Sequence, residues 1–233
     1  MNLWDKKAKS YARYNQKLNS IQEQSFKELE KLNISFKDKK IIDIGCGTGV
    51  WTLYLAQNAK ETTALDNAKA MLEILKEDAN KLQLTNIKYE NCTFTEWINK
   101  NQNAQFDIAF LSMSPALQDK KDYLNFMRLA KIRIYLGWAD YRKSDFLDPI
   151  FKHFNTEFKE QDLESYLLEN NVKFHKFIFD ETRIVERKKD EAIENTLWHL
   201  NMNGVKASKQ DLETFVKGDI KETIQSKIKL LVF

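Results

Sequence analysis

Two spacings of apolar residues alternate along the middle of the chain. Short apolar runs rich in β-branched residues predict strands over residues 40–44, 62–66, 86–92, 105–112 and 131–138. Between them, apolar residues recur every three or four positions, which predicts helices over residues 50–58, 68–82 and 115–130. Asn67 is placed to cap the second helix, and Pro115 to open the third. This alternation indicates a doubly wound α/β fold with a mostly parallel sheet.

The spacing of apolar residues differs at the two ends of the chain. Apolar residues at helical spacing predict a helical segment over residues 1–35. After residue 138 the pattern predicts helices over 145–156, 160–170, 189–203 and 208–217, and strands over 172–185 and 225–233. No repeat or linker divides the sequence. We therefore predict one domain over 1–233, with a helical cap (1–35), a core (36–140) and a C-terminal part that holds a substrate cap and the last two strands (141–233).

Composition adds few constraints. Hydrophobic residues make up 42% of the chain and aromatic residues 12%, which is enough for a substantial core. The formal net charge of +3 is too small to indicate a polyanionic partner. Cys46 and Cys92 offer neither a disulfide framework nor a metal-binding spacing, so no metal is predicted. No apolar leader or membrane-length run is present, so we expect a cytoplasmic protein and no membrane partner.

Three of the six glycines fall within five residues, at Gly45, Gly47 and Gly49. They follow the first predicted strand and precede a predicted helix. Glycine reaches positive φ at little cost and lets another group approach the main chain. A strand, a glycine turn and a helix N-terminus together form a cradle for a polar ligand. A dinucleotide-binding turn would need its third glycine at position 50, which holds Val50.

The spacing Asp43-x-Gly45-x-Gly47-x-Gly49 resembles motif I of the class I S-adenosylmethionine (SAM)-dependent methyltransferases. Asp66 stands twenty-one residues after Gly45, at the end of the second predicted strand, and its surroundings are similar to the second motif of the family. The resemblance implies a seven-stranded Rossmann-like sheet with an antiparallel last strand. It also implies that SAM is the cofactor, that S-adenosylhomocysteine is its product, and that Asp66 holds the ribose.

Further cofactor contacts follow from the same resemblance. Asn67 and Met71 are expected near the adenine. Thr93 stands where the family commonly has an aspartate that binds the adenine amino group. The residues expected to bind the cofactor are Tyr11, Tyr14, Asp43, Gly45, Cys46, Gly47, Asp66, Asn67, Met71, Cys92, Thr93, Phe94 and Leu111.

The N-terminal pattern Trp4-Asp5-x-x-Ala8-x-x-Tyr11 is similar to one that is frequent in small-molecule methyltransferases of this class. A helix that carries Tyr11 and Tyr14 is able to close over the sulfonium, because an aromatic face attracts a cation. Ordinary packing in the core explains these aromatic residues equally well.

Ser112, Met113 and Ser114 follow the fourth predicted strand, where members of the family line the methyl-transfer site. This segment lacks the carboxamide and the aromatic ring with which nucleobase amino methyltransferases hold their acceptor, which argues against an N6-adenine acceptor. We expect a small-molecule acceptor in a pocket capped by residues 1–20 and 141–220. An RNA or protein methyltransferase, and a SAM-binding protein without transfer activity, remain alternatives. No general base is assigned, because SAM carries its own activated leaving group.

Overall fold

The computed structural model describes residues 2–157 and 163–233. The described residues fall into two compact units. One unit comprises the described residues within 1–137, 161–177 and 229–233. The other unit comprises the described residues within 138–160 and 178–228. The first unit contains the glycine turn.

A seven-stranded sheet runs through the molecule in the order β3-β2-β1-β4-β5-β7-β6. Neighbouring strands from β3 to β5 are parallel. From β1 the chain continues to β2 and β3 on one side of the sheet and then crosses to β4 and β5 on the other side. The carboxyl ends of β1 and β4 therefore flank the crevice where open α/β sheets bind ligands. The strands are β1 Lys40–Ile44, β2 Glu61–Asp66, β3 Ile87–Asn91, β4 Phe106–Ser112, β5 Ala130–Ser144, β6 His175–Arg187 and β7 Ile220–Val232.

The prediction of an antiparallel last strand is confirmed. Arg133 and Phe233 exchange backbone hydrogen bonds, with N···O distances of 2.8 and 3.1 Å. Such an exchange between two residues is the pattern of an antiparallel ladder. The sheet is therefore mostly parallel with one reversed strand inserted between β5 and β6, as the fold class predicts.

Ten α-helices lie in the described part of the chain. A short 3₁₀ helix, Ala8–Ser10, follows the first. The predicted helices over 68–82 and 189–203 are confirmed almost to the residue. The helices are α1 Leu3–Lys7, α2 Ser20–Lys31, α3 Thr52–Ala56, α4 Lys69–Lys81, α5 Phe94–Lys100, α6 Lys120–Leu129, α7 Leu147–His153, α8 Leu163–Glu169, α9 Lys189–Met202 and α10 Lys209–Glu213. Residues 160–162 of the predicted 160–170 helix lie outside the described residues.

The prediction of a helical segment over 1–35 is wrong between residues 11 and 19, where the backbone is not helical. Asn19 ends this stretch, because its side chain accepts from the amide of Gln22 and forms a capping box that begins α2. The extended stretch directs its carbonyl groups toward other elements instead of along a helix.

Two predicted helix starts are also wrong. Ala68, not Asn67, is the N-cap of α4, and the Asp66 carboxylate accepts from the Ala68 amide at 2.8 Å. Pro115 does not open α6, which begins after Asp119, whose side chain accepts from the Asp122 amide. In α6 the Asp119 side chain thereby satisfies a free amide of the first turn, and in α4 the free amide of Ala70 donates to Asp5 at 2.9 Å.

The two units have separate cores. In the first unit, β1, β4 and β5 are buried by α5, α6 and α8, and Phe126 and Leu111 are fully buried in this cluster. In the second unit, α7, α9 and α10 pack on one another around Ile150, Leu200 and Leu212.

Candidate functional site

Three glycines in left-handed conformations form the turn after β1. Gly45, Gly47 and Gly49 have φ values of 68°, 54° and 81°. Residues other than glycine seldom adopt this backbone conformation. The amides of Gly45 and Cys46 both donate to the carbonyl of Leu65, at 2.7 and 3.1 Å. The turn is therefore fastened to the end of the neighbouring strand β2.

The three glycines differ in what surrounds them. A Cβ atom on Gly45 would lie 1.8 Å from the Oγ of Ser114, and one on Gly49 would lie 2.1 Å from a methyl carbon of Leu75. These two glycines permit close packing within the protein. A Cβ atom on Gly47 would meet no atom closer than a ring carbon of Tyr11, at 3.9 Å. Gly47 therefore leaves open space beside the backbone.

Asp66 joins β2 to the glycine turn. One carboxylate oxygen accepts from the amide of Gly47 at 2.8 Å, and the other accepts from the amide of Ala68 at 2.8 Å. Burial raises the pKa of Asp66, and the two amide hydrogen bonds oppose that rise. A carboxylate has about four acceptor positions, so Asp66 can still accept from two hydroxyl groups.

Asp43 is buried beneath the turn, in β1. Its carboxylate accepts from the Thr52 hydroxyl at 2.6 Å, which connects the strand to the first residue of α3. Burial raises the pKa of Asp43 to about 7, the Thr52 hydrogen bond lowers it, and the nearby Asp66 charge raises it further. Burial also raises the pKa of the neighbouring Cys46 thiol well above its usual range, so this thiol is protonated at neutral pH.

The extended segment over residues 11–19 crosses the glycine turn and α3. The Thr48 hydroxyl donates to the carbonyl of Ala12, and the Tyr54 hydroxyl donates to the carbonyl of Asn15. Arg13 forms a bidentate ion pair with Asp78 on α4, at 3.0 and 2.6 Å. The segment is thus held at three points by elements that flank the turn.

The two tyrosines of this segment have different surroundings. Tyr11 is 37% exposed and is the nearest residue to the open side of Gly47. Tyr14 lies over α3, with its ring centroid 4.7 Å from that of Tyr54 and its hydroxyl accepting from Gln57 at 2.9 Å. The structure therefore brings Tyr11 to the glycine turn, whereas Tyr14 contacts Tyr54 of α3 and the adjoining Gln57.

The residues after β2 contact the N-terminal residues of the chain. The Asn67 side chain accepts from the Asn2 amide group at 2.8 Å. Met71 is 1% exposed and packs in a cluster with Ala8 and Ala68. Met71 therefore lies under α1 and the 3₁₀ helix that follows it, whereas Asn67 is exposed and bonded to the N-terminus.

The residues after β3 and in β4 that were predicted to bind the cofactor contact mainly other residues of the protein. The Thr93 hydroxyl donates to the Glu96 carboxylate at 2.9 Å and accepts from the Glu96 amide at 3.2 Å, as part of the cap of α5. Phe94 and Leu111 are buried in the core of the first unit, and Cys92 is half-buried against it. The side chains of Phe94 and Leu111 are therefore not exposed to a ligand.

The loop after β4 lies against the glycine turn. Met113 has a φ of 52°, an uncommon value for a residue with a side chain, and its amide donates to the carbonyl of Leu136 at 2.8 Å. The Ser114 side chain occupies the space that a larger residue at position 45 would need. Ser112 and Ser114 are partly exposed on either side of Met113. The predicted acceptor loop is thus adjacent to the predicted donor turn.

Sequence reasoning missed the residues that hold the extended segment, namely Arg13, Thr48 and Tyr54. Nothing in the local pattern distinguishes them, because each acts on a residue far along the chain. It also missed α5, although Thr93 and Glu96 have the spacing of a capping box.

Comparison with known proteins agrees with this geometry. Residues 41–131 match a family described as a methyltransferase domain. Over these residues the chain carries a methyltransferase domain. The glycine turn, Asp66 and the loop after β4 all fall inside the matched range. The methyl donor of this family is SAM.

Curated relatives of the methyltransferase domain have diverse names. An uncharacterized protein of Haemophilus influenzae is 29% identical over 57% of this chain and 48% of its own length. Ribosomal protein L11 methyltransferase of Prochlorococcus marinus is 38% identical over 36% of this chain and 29% of its own. Ubiquinone biosynthesis O-methyltransferase of Coxiella burnetii is 33% identical over 32% of this chain and 31% of its own. The chain thus spans about half or less of the length of these relatives.

Solved structures share the fold. The YcgJ protein of Bacillus subtilis has a TM-score of 0.53 and 16% identity, covering 90% of this chain and 98% of its own. A Bacillus halodurans protein has a TM-score of 0.54 and 14% identity, covering 90% of this chain and 97% of its own.

The residues of the methyltransferase domain fit the donor that its family uses. Gly47 leaves room beside the main chain, and Asp66 keeps free acceptor capacity next to it. Within residues 2–157 and 163–233, no three histidine, cysteine, aspartate or glutamate side chains are grouped to hold a metal ion. None of the helices described is both long and apolar enough to span a membrane.

Proposed function

We propose that this chain transfers the methyl group of SAM to a small-molecule acceptor by in-line displacement. One observation carries the proposal: the Gly47 amide is bound to the Asp66 carboxylate, while the other side of Gly47 is open. A turn of this kind brings the main chain and a carboxylate to one ligand. The binding of an aminoacyl nucleoside requires both.

Each part of SAM has a proposed partner. Asp66 accepts from the two ribose hydroxyls, and the backbone of Gly45, Cys46 and Gly47 faces the aminoacyl group. Asp43 supports the turn from beneath, and Tyr11 and Tyr14 remain the proposed aromatic neighbours of the sulfonium. Asn67, Met71 and Thr93 remain proposed neighbours of the adenine. Cys92, Phe94 and Leu111 remain proposed cofactor contacts, and Met71, Phe94 and Leu111 are limited to backbone contacts because their side chains are buried.

The protein's contribution to the reaction is orientation. SAM supplies an electrophilic methyl group with a neutral thioether as leaving group, so the protein must align the acceptor opposite the S–CH₃ bond and exclude water. The loop formed by Ser112, Met113 and Ser114 is the proposed acceptor surface, because it follows β4 and touches the donor turn at Gly45. The segment over residues 11–19 is proposed to exclude water from the donor side.

Two features support a small acceptor over a macromolecule. The N-terminal segment is bonded to the donor turn at Thr48, which limits access for a large substrate from that side. The loop after β4 also lacks the polar and aromatic pair that would hold a nucleobase. The predicted role of residues 141–220 in enclosing the acceptor remains a prediction, as does the extent of a single domain over 1–233. Methylation of RNA or protein, and binding of SAM without transfer, are the alternatives.

Incubation of the purified chain with methyl-labelled SAM and a cell extract tests this proposal. After the reaction, the extract is separated by size into metabolites, RNA and protein. We expect label in the metabolite fraction, and none when the Asp66→Ala variant replaces the wild type. Label in RNA or protein would instead support a macromolecular acceptor. SAM binding without label in any fraction would support a protein that binds SAM only.

A further inference from the structure

Strand β6 lies at one edge of the sheet, with β7 beside it and no further strand among the described residues. An edge strand presents backbone N–H and C=O groups that can pair with another chain. The part of β6 from Ile178 to Arg187 belongs to the second unit. It contains no proline or glycine, the residues that most often interrupt pairing at such an edge. The strand is therefore able to accept a neighbour along its length.

One face of this edge strand is exposed throughout. Its residues are Ile178, Asp180, Thr182, Ile184 and Glu186. Ile184 is 61% exposed and Ile178 is 42% exposed. Two large apolar side chains on an unpaired edge are a recognised cause of association between chains. Burial of both isoleucines would favour a partner that lies alongside β6.

The charges on the strand indicate that this partner is a second copy of the chain. Glu181 and Arg183 lie on the other face of β6 and form an ion pair with an N···O distance of 3.1 Å. In an antiparallel pairing of two copies centred on Thr182, Glu181 of each copy stands opposite Arg183 of the other. At positions 181 and 183 the strand is thus complementary in charge to itself, as pairing about a two-fold axis requires.

The same register brings the exposed isoleucines together. Ile184 of one copy stands opposite Asp180 of the second copy and diagonal to its Ile178. Diagonal neighbours across two strands are about 7–8 Å apart, a distance that large side chains reach across. Two apolar contacts therefore form, one on each side of the axis. We propose that the chain forms a two-fold homodimer through antiparallel pairing of residues 178–186 of β6 with the same residues of a second copy.

The mass of the purified full chain in solution, measured by sedimentation equilibrium, tests the proposal. We expect twice the single-chain mass of 27.5 kDa. We expect Ile184→Lys to reduce the mass to that of one chain. Leu168→Lys is the matched control, because Leu168 on α8 is also 61% exposed, and it should leave the dimer intact. A wild-type chain of single mass, or a dimer that Ile184→Lys does not change, would overturn the proposal.

A charge exchange tests the register. Glu181→Arg places two arginines opposite two arginines, and Arg183→Glu places two glutamates opposite two glutamates. We expect each variant alone to be a single chain, and an equimolar mixture to form a dimer that contains one chain of each. Dimers in either variant alone, or a mixture that stays at single-chain mass, would contradict this pairing. The test requires no methyl donor, so its outcome is independent of the proposed enzymatic activity.

Discussion

The carboxylate of Asp66 accepts the backbone amide of Gly47 at 2.8 Å. Asp66 ends β2 and Gly47 is at the centre of the turn after β1, so this hydrogen bond fixes the position of the proposed ribose partner relative to the proposed aminoacyl site. The open side of Gly47 and the remaining acceptor positions of Asp66 then define where a ligand would bind.

Replacement of Asp66 by asparagine should weaken SAM binding at least tenfold, which corresponds to about 1.4 kcal/mol. Asparagine has one acceptor oxygen where aspartate has two, so it cannot serve both backbone amides and both hydroxyls. Asp107→Asn is the matched control. Asp107 also accepts from a backbone amide, that of Lys40 at 2.9 Å, at the opposite end of β1. Titration calorimetry gives both affinities, and equal affinities for the two variants would remove Asp66 from the site.

Gly47→Ala should abolish SAM binding and retain the fold. Both Gly47 and Gly204 have positive φ, at 54° and 77°, so alanine at either position is expected to destabilise the protein by about 1 kcal/mol. Gly204 lies in the second unit, with nothing within 4 Å of an added Cβ. Denaturant unfolding should show similar losses for the two alanine variants, and calorimetry should show lost binding for Gly47→Ala alone. Full binding by Gly47→Ala would show that the ligand does not approach this side of the turn.

The stability of the chain should depend on pH through Asp43. Its folded pKa of about 7 lies above the ordinary value of 3.8, so between these two pH values the folded state holds a proton that the unfolded state has released. The contribution of Asp43 to the free energy of unfolding is therefore greatest at low pH and is lost as pH rises through this window. Above pH 7 it stays at its lowest value.

The comparison that isolates this effect uses Asp43→Asn, which cannot titrate. We expect the difference in unfolding free energy between wild type and variant to fall by a few kcal/mol in total, roughly 1.4 kcal/mol per pH unit, between pH 4 and pH 7. It should be constant from pH 7 to pH 9. Urea denaturation at each pH measures this difference. If the unfolding free energies of wild type and variant differ by the same amount at every pH, Asp43 is ionised in the folded protein across that range.

Tyr11→Ala should weaken SAM binding more than Tyr11→Phe. The phenylalanine variant keeps the aromatic face that is proposed to attract the sulfonium, and only the alanine variant removes it. The product S-adenosylhomocysteine, which lacks the sulfonium charge, is the internal control, because an effect of that cation requires that the affinity for the product change less than the affinity for SAM. If Tyr11→Ala weakens both ligands equally, Tyr11 acts through packing and not through the charge.

The sequence predicted the parts of the fold that have a strong local pattern. Strands β1 and β4 are apolar runs in the sequence because both faces of the sheet are covered. Helix α4 has a regular apolar stripe. It did not predict the extended segment over residues 11–19. The carbonyls of Ala12 and Asn15 are bound by Thr48 and Tyr54, and such contacts between distant residues override a local helical pattern.

The site was predictable to the same extent. The spacing from Gly45 to Asp66 placed the turn and the carboxylate on neighbouring strands, and the structure joins them by a hydrogen bond. Spacing did not reveal that Ser114 packs on Gly45 or that α1 covers Met71. These contacts depend on how loops and helices pack on the sheet, which a single sequence does not specify.

The most direct test of the central claim is a calorimetric titration of the full chain with SAM, with Asp66→Ala measured beside it. We predict one site per chain with a dissociation constant in the micromolar range for the wild type, and no measurable heat of binding for the variant. An absence of binding to the wild type at millimolar SAM, or unchanged binding by Asp66→Ala, would contradict the assignment of this turn as the methyl-donor site.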